Sequence, residues 1–73
     1  MKRVGEVVRV AQGLAIVRSD SDDHADIGTT VVDESLSEVG RVVDVFGPVS
    51  RPFVAVSADD DPTTLLGGTL YAR

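Results

Sequence analysis

Seventy-three residues at 7.7 kDa are enough for one small domain, 1–73, because chains this short bury only about 60% of their unfolded surface. Seven basic residues against twelve acidic ones give a net charge of -5 at pH 7, so the chain lacks the basic surface of a primary phosphate-backbone binder. It has no cysteine, which excludes a disulfide framework, a thiolate metal site and a cysteine nucleophile.

In the opening Met1-Lys2-Arg3-Val4-Gly5-Glu6, Glu6 and then Arg9 interrupt any apolar stretch of signal-peptide length. No run approaches the roughly eighteen apolar residues of a membrane helix. A soluble, intracellular, cytoplasmic protein is expected.

Fourteen valines, in short runs separated by Gly, Pro, Asp and Ser, predict strands, because branching at Cβ suits the pleated sheet and costs rotamers in a helix. Residues Val4 to Val10 form the first strand, alternating imperfectly, with Val4, Val8 and Val10 on one parity and Val7 and Arg9 on the other. Ala11-Gln12-Gly13 turns the chain, and Leu14 to Arg18 returns as the second strand of a hairpin. Ser19 to Asp26 has dense charge and no apolar period, which predicts a solvated loop. Strand three is expected over Thr29 to Asp33, with Glu34 to Glu38 as a connector able to make a helical turn. Strand four, Val39 to Gly47, would set Val43 and Val45 on one face and Val42 and Phe46 on the other. After a turn at Pro48, Phe53 to Ala58 forms strand five, with Val54 and Val56 facing opposite to Phe53 and Ala55. Asp59-Asp60-Asp61-Pro62 ends it, and Gly67-Gly68 admits a last strand, Thr69 to Ala72, with Leu70 and Tyr71 on opposite faces. Six short strands predict an all-β fold, a closed or nearly closed barrel, since closure removes exposed edges.

Metal binding would have to use Asp20, Asp22, Asp23, His24 and Asp26. A calcium loop started at Asp20 needs glycine at the sixth position and glutamate at the twelfth, where this chain has Ala25 and Val31. No metal site and no cofactor are therefore expected, there or at the triple aspartate before Pro62. Catalysis needs a nucleophile, a base and an orienting partner. His24 has no placed serine, Ser19 and Ser21 are explained by loop solubility, Lys2 sits at a fraying terminus, and Gly67-Gly68 lacks the signature of a phosphate loop. An enzyme is not expected.

One segment remains. Phe46 to Phe53 holds two of the three aromatics and two of the three prolines within eight residues. Pro48 and Pro52 fix their φ angles and make the connection rigid, while Gly47 permits a sharp turn. A rigid apolar loop is what a protein interface uses as an anchor, since preorganisation avoids ordering cost and an aromatic supplies area. Phe46 and Phe53 fit a barrel core equally well; Pro48, Val49 and Pro52 are harder to place there.

The segment Val39-Gly40-Arg41-Val42-Val43-Asp44-Val45-Phe46-Gly47-Pro48-Val49 resembles the Gar family, the small β-barrel subunit of box H/ACA ribonucleoproteins, in its compact archaeal form. Gly13 to Arg18, Ile27-Gly28 with Val32-Asp33, Arg51-Pro52-Phe53 with Val56, and Gly68 with Leu70-Tyr71 fall in the family's order. The resemblance implies a six-stranded barrel of the translation-factor type. It implies docking on the catalytic domain of a dyskerin-like pseudouridine synthase, with little or no direct contact to guide RNA. It also implies biasing of a mobile synthase loop toward substrate RNA loading and product release in rRNA pseudouridylation. Carried onto this chain, the partner-binding residues are Phe46, Gly47, Pro48, Val49, Arg51, Pro52 and Phe53, with Val49 and Pro52 supplying buried area. Two departures stand out: there are no arginine-glycine repeats, and the chain is more acidic than such subunits usually are.

Nine of the twelve acids are aspartates, placed mostly in predicted loops. That pattern fits a halophilic host, where concentrated salt screens self-repulsion. A PRC-type or ribosome-maturation barrel, acting as an adaptor in ribosome assembly, shares the Gly-Arg-Val-Val-Asp-Val type of strand and is the main alternative. A direct RNA-binding barrel would need exposed aromatics on a basic sheet face. An isolated chain with an apolar patch is expected to self-associate.

Overall fold

The computed structural model describes residues 2–20 and 22–73; Met1 and Ser21 lie outside the described residues. Its strands are β1 (Lys2–Ala11), β2 (Leu14–Arg18), β3 (Thr30–Val32), β4 (Glu38–Phe46), β5 (Phe53–Ala58) and β6 (Thr69–Ala72). They close into a barrel in the order β1-β2-β5-β4-β3-β6, each neighbouring pair antiparallel. The expected all-β closed barrel is therefore present, and β2, β5 and β6 have the expected bounds.

The core is a valine layer. Val7, Val17, Val31, Val42, Val54, Val56 and Leu70 are each at most 1% exposed, with Ala15, Val4 and Ala25 completing the cluster. Each fully buried Val or Leu stabilises the fold by roughly 1.5–3 kcal/mol relative to an exposed one.

The imperfect alternation of β1 and β4 has a structural cause. The β1–β2 register shifts between Val7 and Arg9, and the β1–β6 register between Arg3 and Gly5. The β4–β5 register shifts between Val42 and Asp44, and the β3–β4 register between Val31 and Val32. A bulge inserts one residue and reverses the facing of the residues beyond it. Val4 and Val7 thus both reach the core despite opposite parity, while Val8 is 37% exposed. On β4, Val42 is in the core and Val45 packs against it, whereas Val43 is 42% exposed. This corrects the expected pairing of Val43 with Val45 and of Val42 with Phe46, because a simple two-residue period does not survive a bulge.

The helical turn also lies elsewhere than expected. Residues 34–38 are not helical: the Asp33 carboxylate accepts the backbone N–H of Ser35 at 2.8 Å and of Ser37 at 3.1 Å, which holds a tight turn instead. A 3-10 helix forms at Pro62–Leu65, where proline takes the first turn and the Asp61 carboxylate accepts the Thr63 N–H at 3.0 Å.

The antiparallel order sorts the connections. The β2–β3 loop (19–29) and the β4–β5 loop (47–52) share one end of the barrel, and the β3–β4 turn and the 59–68 connection share the other. That second end gathers Asp33, Glu34, Glu38, Asp59, Asp60 and Asp61, and neither 33–38 nor 59–68 contains a lysine or arginine. Among the described residues no helix is long and apolar enough to cross a membrane.

Candidate functional site

The β4–β5 loop is built on a cross-strand aromatic pair. Phe46 and Phe53 are register partners, with ring centroids 5.6 Å apart and planes inclined by 25°. Directly opposed residues of an antiparallel pair share a face. Since Val17, Val54 and Val45 face inward, the row Glu6, Arg18, Phe53, Phe46 crosses β1, β2, β5 and β4 on the outer wall. Phe46 is 38% exposed and Phe53 half-buried, so the two rings are wall residues and not barrel core. In the next outer row Ile16 and Ala55 oppose each other and are buried although they stand outside the core cluster.

Above this pair the chain turns at Gly47, whose φ of 92° lies in the left-handed region. A Cβ there would come 2.8 Å from Phe53 Cδ2, so glycine is required twice, by conformation and by the approach of the ring. Pro48, Val49, Ser50 and Arg51 are exposed, and Val49 is 89% exposed, the highest value among the large exposed hydrophobics. Pro52, which the sequence left hard to place in a core, is buried. Its part is to fix the base of the loop, where its carbonyl accepts the Ser19 N–H at 3.1 Å.

The β2–β3 loop is less free than its composition suggests. Lys2 pairs with Asp23, and Arg3 Nε with Asp20 Oδ2 at 2.6 Å. The Lys2 ammonium, first as hydrogen-bond donor and then as a charge, holds the Asp23 carboxyl below its ordinary value. Ala25 enters the core, and His24 Nδ1 lies 3.0 Å from the Ala25 carbonyl. Beyond it, Gly28 donates to the Val42 carbonyl at 2.8 Å and Val42 to the Thr29 carbonyl at 2.9 Å. Ser19 is fully buried, and its Oγ has no hydrogen-bond partner among the described residues.

These two loops meet. Asp22 and His24 line a concavity of about 220 Å³ together with Val45, Phe46, Gly47, Pro48, Val49 and Pro52. Of the seven residues singled out in the sequence, Phe46, Gly47, Pro48, Val49 and Pro52 border it; Arg51 is exposed on the same loop, and Phe53 stacks behind Phe46. Asp22 and His24 were not legible as neighbours of residue 49, since only the strand order β2-β5-β4 joins their loops at one end. Among the described residues no group of three or more His, Cys, Asp or Glu is placed to hold a metal ion.

Comparison with protein families finds a match over residues 1–71 to the family described as the Gar1/Naf1 RNA binding region. A search of curated proteins gave no match.

Proposed function

The chain belongs to the Gar1/Naf1 RNA binding region family, and from that membership we infer an RNA-binding, non-catalytic association with H/ACA ribonucleoproteins. From that premise we propose that it is a non-catalytic H/ACA subunit that docks on a dyskerin-like pseudouridine synthase through the β4–β5 loop, and promotes substrate RNA loading and product release in guide-directed rRNA pseudouridylation. One observation carries the docking: Val49 stands 89% exposed on a loop fastened at its base by a stacked phenylalanine pair and a buried proline. An apolar side chain held out rigidly loses little entropy on association. Contact with guide RNA comes through the complex, because carboxylates crowd the far end of the barrel and the net charge is -5.

The test compares reconstituted particles with and without the subunit. Loss of the subunit should slow multiple-turnover pseudouridylation while guide RNA remains bound. Equal loss of guide binding would refute the loading-and-release half.

A second reading, direct RNA binding, has one observation in its favour: Arg18 sits beside Phe53 and Phe46 on the outer wall, the residue types that stack bases. A filter-binding titration of the chain alone separates the two. Docking through the synthase expects no retention at physiological salt, and saturable retention would favour direct binding.

A further inference from the structure

Resting on the docking proposal above, we propose that the acidic β2–β3 loop is the second wall of the docking seat. The partner segment that enters it carries one large apolar side chain flanked by an arginine or lysine. The concavity is lined from both loops, with Phe46, Pro48 and Val49 contributed by the end of β4 and the β4–β5 loop and Asp22 and His24 by the β2–β3 loop. Its volume of about 220 Å³ suits one large side chain and not a cofactor, since ligand pockets run to about 300–1,000 Å³.

Asp20 and Asp23 are matched by Arg3 and Lys2, pairs that tie the loop to the start of β1. Ala25, in the core, anchors the loop from the other side. Asp22 is the carboxylate that lines the seat. An apolar side chain entering between Phe46 and Val49 therefore meets an anionic rim at Asp22, and the complementary neighbour on the partner is a cation. Rim charges of this kind set register and partner choice more than affinity.

The test measures binding of the full chain to the dyskerin-like synthase catalytic subunit for wild type, Asp22→Asn, Asp22→Arg and Val49→Asp. Asp22 is exposed, so its substitution leaves the barrel intact, which melting temperatures of the variants check. At low ionic strength Asp22→Arg should weaken binding about 3- to 10-fold, with Asp22→Asn between it and wild type, and molar KCl should shrink the differences. Binding of Asp22→Arg equal to or tighter than wild type, while Val49→Asp abolishes binding, would overturn the two-walled seat and leave the docking loop standing. Undiminished binding by Val49→Asp would overturn docking itself.

Discussion

Phe46 and Phe53 stack across β4 and β5 at 5.6 Å, and the loop they bracket presents its apolar tip outward. The pair ties the loop to the barrel wall at both ends, so the shape of 47–52 is set by the sheet register and is not left to the loop.

Gly47 is the point at which that register becomes a turn. Gly47→Ala forces a side chain into the left-handed region and against the Phe53 ring, and should cost about 1–3 kcal/mol of stability in a denaturant titration. Binding to the synthase should fall even under conditions where the variant is fully folded, because the tip moves with the turn.

Val54 is fully buried in the core cluster. Val54→Ala should lower stability by about 1.5–3 kcal/mol through lost burial plus a residual cavity. At temperatures where the variant stays folded, its affinity for the synthase should match that of wild type, unlike Gly47→Ala.

Acid should weaken the barrel through two identified carboxylates. The Thr63 backbone N–H, and then its hydroxyl, hold Asp61 below its ordinary value, and Lys2 does the same for Asp23. A carboxyl depressed in the folded state contributes stability that is fully present above its unfolded pKa and lost as pH falls through the folded one. Melting temperatures of Asp61→Asn and Asp23→Asn should therefore lie below wild type at neutral pH and converge with it in acid.

Salt should act mainly at the carboxylate-rich end. Glu34, Asp59 and Asp60 are exposed there beside Asp33, Glu38 and Asp61, and among the described residues the one cation paired with any of them is Arg73, at 3.2 Å from Glu38. Molar KCl should raise the melting temperature by screening their repulsion. Asp59→Asn combined with Asp60→Asn should reduce that gain, as differential scanning fluorimetry over a salt series will read.

Much of the barrel was legible in the sequence because valine runs and Gly or Pro breaks mark strands directly, as Leu14–Arg18, Phe53–Ala58 and Thr69–Ala72 show. The facing of β1 and β4 was not, since the bulges beside Val8 and Val43 leave no local signature in a valine-rich strand. The apolar loop was legible from Phe46, Gly47, Pro48 and Val49, whose types and spacing suffice. Its acidic neighbour was not: Asp22 lines the same concavity as Val49 only because the strand order β2-β5-β4 brings their loops to one end of the closed sheet. The burial of Pro52 likewise reflects its tie to Ser19, a contact between segments that no local pattern encodes.

The most direct measurement places a benzophenone side chain at position 49 of the full chain, irradiates it in native lysate and identifies the adduct by mass. Docking through the β4–β5 loop expects a single dominant adduct with the dyskerin-like synthase, lost when unlabelled chain is added in excess. Adducts with ribosomal proteins, or labelling spread without preference over the lysate, would contradict it.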